Sequence, residues 1–254
     1  MTGAALPVLA VPRLVLWRHG RTEWNASGRF QGQLDPPLDE VGRSQAVLAA
    51  PHLVATGLSP HGTVIVSSDL SRAAETAAVL SAILGVPLHL DRRLREHGMG
   101  SWEGLTRAEV AQRHPDQYAD WMAGRAIRGR GGEDPSAVAD RALDALTDLP
   151  EAPVAVIVTH GGTAGRLMER LLGLGPDHHR VFGPLGNCAW SELAVQDGRW
   201  RMMRHNSSVL VLPEGLGEAV PPPGPVLRAV PSPGEGGATP EDAPPPASDA
   251  DAVL

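Results

Sequence analysis

Apolar positions along this chain fall into two recurring patterns. Short, nearly continuous runs occur at "LVLW" (14–17), "TVIVSS" (63–68) and "VAVIVTH" (154–160), with a briefer "PLHLD" at 87–91. Such runs are what strands buried on both faces require. Between them the apolar spacing is helical. The first such stretch runs from Asp39 to about Val54, with a break expected near Pro51, because proline lacks the N–H a helix interior needs. "SRAAETAAVLSAILG" (71–85) predicts a helix with Ser71 as N-cap and Gly85 as stop. Thr106 to Ala123 reads as helical, interrupted at His114-Pro115. Asp134-Pro135 pairs an N-cap with a proline at the first helical position and opens a helix to about Thr147. "GTAGRLMERLLG" follows the run at 154–160 as another helix. "CAWSELAV" and "RWRMMRH" predict two final strands joined by an Asp197-Gly198 hairpin turn.

Repeated strand-then-helix order predicts an α/β fold: a three-layer α/β/α sandwich with a mostly parallel central sheet. The expected organisation is a flexible arm at 1–12, one domain at 13–213 and a disordered tail at 214–254. The tail expectation is compositional. That stretch is rich in Pro, Ala, Gly and acids, and cannot bury enough apolar surface to offset its ordering entropy.

Charge sharpens the picture. The chain has 254 residues and a net charge of −7. Seven acids and one arginine from Glu214 onward put −6 in the tail and leave −1 for the first 213 residues. A near-neutral domain gives no global electrostatic support to a nucleic-acid partner. No stretch is apolar enough for a membrane span. The N-terminus lacks a basic region before its apolar run and is read as an arm, not a signal peptide. One cysteine, Cys188, excludes an intramolecular disulfide framework, and a cytoplasmic protein is expected. All 22 basic residues are arginine; without lysine there is no Walker-type P-loop and no Schiff-base chemistry. Arginine being the only cation, each one must be argued from its position.

In parallel sheets ligands bind beyond the carboxyl ends of strands. The strand at 14–17 ends in Arg18-His19-Gly20, and Asp69 and Arg72 follow the strand at 63–68. Arg93, Arg95 and Glu96 follow the strand at 87–91, and His160-Gly161-Gly162 end the strand at 154–159. Two histidines, two arginines and a glutamate would then share one rim. Arginine forks match phosphate oxygens. An imidazole can be a nucleophile, and a carboxylic acid can protonate a leaving oxygen. Taken singly, the same residues have plainer readings: Glu96 in a surface ion pair with Arg93 or Arg95, His160 as a core histidine, Asn25 as a loop former.

"RHGRTEWN" (18–25) resembles the signature of the histidine phosphatase superfamily, in its phosphoglycerate mutase-like branch. "GRFQGQLDPPLDEVGRSQA" (28–46), "SSDLSRAAETA" (67–77), "LREHGMGSWEGLT" (94–106), "GGED" (131–134) and "VTHGG" (158–162) resemble its later blocks, in order, over about residues 13 to 212. The resemblance implies a phosphatase acting through phosphohistidine. His19 would be the nucleophile, Arg18 and Arg72 the phosphoryl ligands, and His160 a stabiliser of transition-state charge. Glu96 would be proton donor and then base, and Asn25 a phosphate contact or a brace for the loop. It implies no metal and no cofactor, and a small phosphorylated substrate; nothing in it opposes a homodimer. "QGQLD" and "GNCAW" are similar to the glucosyl-3-phosphoglycerate phosphatase group, while alpha-ribazole and broad-specificity sugar phosphatases share the core blocks. Two alternatives stand: a cofactor-dependent phosphoglycerate mutase, and a non-catalytic phospho-ligand binding module. The short region from Leu105 to Arg130, and Gly162 where mutases carry asparagine, favour the phosphatase. The retained His19, Arg18, Arg72, Glu96 and His160 disfavour the binding module. "GRAIRGRGG" (124–132) is either a substrate-facing lid or an exposed loop, and Trp24 and Trp102 either wall the site or pack in the core.

Overall fold

Each of the four apolar runs becomes a strand of one six-stranded sheet: β1 (Arg13–Arg18), β2 (Thr63–Ser67), the partly exposed edge strand β3 (Leu88–Leu90) and β4 (Val154–Thr159), joined by β5 (Trp190–Gln196) and β6 (Arg199–Ser207). The order is β3-β2-β4-β1-β5-β6. The first four strands run parallel, and β5 and β6 are antiparallel additions at one edge. The computed structural model describes residues 7–175, 178 and 181–209, all within one compact unit. The expected tail from residue 214 lies outside them.

Alternation along β1 divides the core. Val15 and Trp17 face α2 (Glu40–Ala55) and α3 (Ser71–Leu84), packing with Ala46, Leu53, Ala77 and Leu80. Leu14 and Leu16 face α6 (Pro135–Thr147) and α7 (Gly161–Leu171), with Leu146, Leu167 and Met168. The result is the expected helix–sheet–helix sandwich. Three shorter helices, α1 (Glu23–Ala26), α4 (Arg107–Arg113) and α5 (Pro115–Met122), complete the described set. Val11, within the expected arm, is fully buried against the α6–α7 side of the sheet.

Two local expectations are corrected. Helix α2 continues through Pro51 without a break. Proline leaves the carbonyl of Val47 without its intrahelical partner, but Val47 is 58% exposed, a position where solvent can replace that bond. Ser71 is not an N-cap: Leu70 holds that position, with no side-chain cap bond of its own. The cap comes from a distant loop instead. Asp35 Oδ1 accepts from the Ser71 backbone N–H at 2.9 Å and from its hydroxyl at 2.8 Å. Elsewhere the punctuation behaves as expected. Gly85 closes α3 in the left-handed conformation (φ 66°), His114 separates α4 from α5, and Asp134 caps α6.

Candidate active site

The chain leaves β1 toward the face covered by α2, and leaves adjacent β4 toward the face covered by α7. A crevice therefore opens between the carboxyl ends of two neighbouring parallel strands, the place where such sheets bind ligands. In the register Arg18 lies opposite Thr159, so the residues that follow, His19 and His160, emerge side by side. Their ring centroids are 5.0 Å apart.

His19 is held from three directions. Its backbone N–H donates to the Thr159 carbonyl at 3.0 Å, and its carbonyl accepts from Cys188 N at 3.1 Å and from Asn187 Nδ2 at 3.2 Å. Its Nδ1 lies 2.7 Å from the Gly20 carbonyl. A carbonyl only accepts, so Nδ1 carries the proton and Nε2 keeps its lone pair. Burial, then the charges of Arg72 and Arg18, push the imidazole well below its ordinary value. His160 is lowered by burial and the same cations; its Nε2 lies 2.9 Å from Ser68 Oγ and its buried Nδ1 has no partner.

Both arginines are buried and half-committed. Arg18 donates through Nη1 to the Leu185 carbonyl at 2.6 Å. Arg72 donates to the carbonyls of Leu34 and Gly32 at 2.7 and 2.9 Å and sits 3.8 Å from Asp35. The Nε of each is buried without a partner. Burial lowers each guanidinium to about 10, which leaves both charged at neutral pH. Paired cations with unused donors facing a cavity form an anion site.

Glu96 is held at the N-terminus of α7. Its Oε1 accepts from His97 N (2.7 Å) and Thr163 N (3.0 Å), and its Oε2 from Gly162 N (3.1 Å). Gly162 permits this approach: a Cβ there would stand 2.7 Å from Oε1. The ion-pair reading of Glu96 fails, because Arg95 forks onto Asp69 with two 2.7 Å bonds and Arg93 pairs with Asp91 and Asp148. Asn25 serves the loop: its Oδ1 accepts from Thr22 N at 3.1 Å in the capping box of α1 and from Asn187 Nδ2 at 3.3 Å.

A cavity of about 710 Å³ is lined by five of the six predicted residues: Arg18, His19, Asn25, Arg72 and Glu96. His160, fully buried, stands behind His19 and is not part of the wall. Two contributors, Gln31 and Arg141, were not legible in the sequence. Gln31 is buried on the cavity wall, with an Oε1 lacking a partner. Arg141, from the middle of α6, donates to the carbonyls of Arg93, Arg95 and Glu96 and to the Glu133 carboxylate, pinning the segment that carries Glu96. Arg130 lines the cavity from the glycine-rich loop whose sequence left a lid and an exposed loop both open. Trp102 packs in an aromatic cluster with Phe30 and Trp121, and of these tryptophans it is Trp121 that borders the cavity. Among the described residues no three of His, Cys, Asp and Glu converge as metal ligands, and no helix is long and apolar enough to cross a membrane.

Comparison with known proteins agrees with this geometry. A glucosyl-3-phosphoglycerate phosphatase of Mycolicibacterium vanbaalenii is 39% identical over 225 residues, covering 80% of this chain and 98% of the relative. A probable phosphoglycerate mutase of Yersinia enterocolitica is 37% identical over 194 residues, 74% of this chain and 87% of that protein. The solved structure of a mycobacterial glucosyl-3-phosphoglycerate phosphatase with VO3 superposes with a TM-score of 0.68 at 38% identity, covering 78% of this chain and all of that one. The family model of the histidine phosphatase superfamily, branch 1, matches residues 14–208. The chain belongs to the histidine phosphatase superfamily.

Proposed function

We propose that the chain hydrolyses a small phosphomonoester of the sugar phosphate or phosphoglycerate type through a phosphohistidine on His19, with glucosyl-3-phosphoglycerate as the first substrate to test. The enzyme is a phosphoric monoester hydrolase, in keeping with its phosphatase relatives. One observation carries the mechanism: the Gly20 carbonyl holds the Nδ1 proton of His19, leaving the Nε2 lone pair beside two buried guanidiniums.

In the first step that lone pair attacks phosphorus. The bond from phosphorus to the alcohol oxygen breaks, its electron pair leaves with the alcohol, and Glu96 supplies the proton. Oε2 of Glu96 accepts one backbone bond where Oε1 accepts more, so Oε2 is the oxygen with capacity to carry that proton. The imidazolium charge is taken up at Nδ1–H against the Gly20 carbonyl. In the second step water attacks phosphorus, gives its proton to Glu96, and the P–N bond breaks. Arg18 and Arg72 hold the phosphoryl oxygens throughout, and His160, packed beside the His19 ring, helps stabilise the charge of the transition state. Asn25 braces the loop that carries His19.

The test is a phosphate-release screen with a metal chelator present. It spans sugar phosphates, phosphoglycerates, glucosyl-3-phosphoglycerate, nucleotides and phosphopeptides. Turnover is expected with chelator, and His19→Ala is expected to lose on the order of 10⁴-fold or more. Turnover retained in that variant, or abolished by EDTA, overturns the mechanism. Bisphosphoglycerate-dependent interconversion of phosphoglycerates with little phosphate release would establish a mutase instead.

A further inference from the structure

Arg130 is a buried cation that forms no ion pair among the described residues. It is 7% exposed and lines the same cavity as His19 and Glu96. Its Nε is buried without a partner. Nη1 faces only the thioether sulfur of Met99, at 3.4 Å. Nη2 lies 3.2 Å from His97 Nε2, yet that nitrogen is also 2.9 Å from the Glu133 carbonyl. The carbonyl can only accept, so Nε2 carries a proton of its own and offers Arg130 nothing. The carboxylates nearby are engaged elsewhere. Glu133 is forked by Arg141 at 2.8 and 2.9 Å, and Glu103, whose field reaches Arg130, accepts from Met99 N and Gln33 N without forming an ion pair. Other arginines of the cavity differ. Arg29, Arg125 and Arg170 are paired with Glu109, Asp120 and Asp140.

The guanidinium is also held in place. It lies 5.4 Å above the buried Trp102 ring, and the Arg130 carbonyl accepts from Ser101 N at 2.9 Å. Its position relative to the chemistry follows from the chain. His97 adjoins Glu96 and donates its N–H to that carboxylate, and the far side of its ring meets Arg130 at 3.2 Å, so one residue links the acid to this guanidinium. On the mechanism above, Glu96 addresses the leaving oxygen, so Arg130 stands beside the alcohol half of the substrate. A desolvated, preorganised arginine fork without a counter-anion matches a carboxylate.

We propose that Arg130 binds a carboxylate on the alcohol half of the substrate, making the enzyme selective for phosphate esters of hydroxy acids over those of neutral alcohols. The proposal rests on Glu96 being the acid of a phosphatase, and the experiment separates the two. Phosphate release is measured for 3-phosphoglycerate and for glycerol 3-phosphate, which differ by carboxylate against hydroxymethyl, with p-nitrophenyl phosphate as a common reference. The wild type is expected to prefer 3-phosphoglycerate. Arg130→Met keeps an unbranched stem over Trp102. It is expected to lower kcat/KM for 3-phosphoglycerate by about 10- to 100-fold, and for the other two substrates by less than about 2-fold. Arg130→Lys is expected to restore part of the preference. An equal fall for all three substrates shows a structural role and overturns the proposal. So does a wild type without preference for the acid, or a variant that retains it. A wild type that releases phosphate from no ester overturns the phosphatase reading itself.

Discussion

At the scale of single residues, the site separates groups that react from groups that aim them. On the proposed mechanism His19 reacts because its other nitrogen is occupied, and the partner that occupies it is the next carbonyl in the chain. Glu96 is aimed by backbone donors of α7 and by Arg141 from α6. Its role predicts a dependence on leaving group. Glu96→Gln keeps the shape but has no proton to give, so an ester of a poor leaving alcohol should slow by about 10²- to 10⁴-fold. p-Nitrophenyl phosphate, whose phenolate leaves unaided, should slow far less in its first step; pre-steady-state bursts on both substrates measure this. Equal slowing of the two bursts would remove Glu96 from the acid role. His19, Arg18, Arg72, Glu96 and His160 were legible because chemistry-bearing types stood at strand ends. Gln31 and Arg141 were not. An arginine in the middle of α6, in a chain whose every cation is arginine, carries no local sign that it will span three carbonyls of another segment.

At the scale of elements, strand ends carry His19 and His160, the first turn of α3 carries Arg72, and the start of α7 holds Glu96. Gly20 belongs here, for a reason different from a sharp turn. Its φ is not positive; a side chain there would collide with the backbone of Gly42 in the first turn of α2, and one at Gly42 would collide with the Arg21 backbone. Two glycines let the loop after β1 lie flat on α2, which also holds it through Gln45 Oε1 to Arg21 N at 2.9 Å. Gly42→Ala should therefore destabilise the protein by about 1–3 kcal/mol and shift the His19 loop. Gly165→Ala, inside α7 with open space around it, should be neutral or stabilise by about 0.5–1 kcal/mol. Thermal unfolding and kcat/KM of the two variants check both signs. The element boundaries were largely readable, since Pro115 and Gly85 act through their own backbone and Asp134 through a side-chain bond to Ser136 N two residues on. Ser71 and Pro51 were misread because what decides them, Asp35 from another loop and water at an exposed carbonyl, lies off the local segment.

At the scale of the whole molecule, folding keeps two imidazoles neutral among cations. His19 and His160 are both lowered well below their ordinary value, first by burial and then by Arg72. Below about pH 6.5 the unfolded chain takes up protons on these histidines and the folded chain does not. The stability they contribute is thus complete above that pH and is lost as pH falls toward their folded values, by about 1.4 kcal/mol per unit for each histidine. Tm should decline between pH 6.5 and 5, before most carboxylates titrate, and the acid limb of kcat/KM should lie below pH 6.5. A flat Tm across that interval would contradict the assignment.

By itself the sequence determined the sandwich, the strand-end placement of the reactive residues and their kinship, because local periodicity and short contiguous motifs are written in adjacent positions. Only the tertiary structure decided which side chains share the cavity, which nitrogen of His19 is free, and that Arg130 forms no ion pair among the described residues. Those properties depend on burial and on partners dozens of residues away, and no local stretch of chain encodes them.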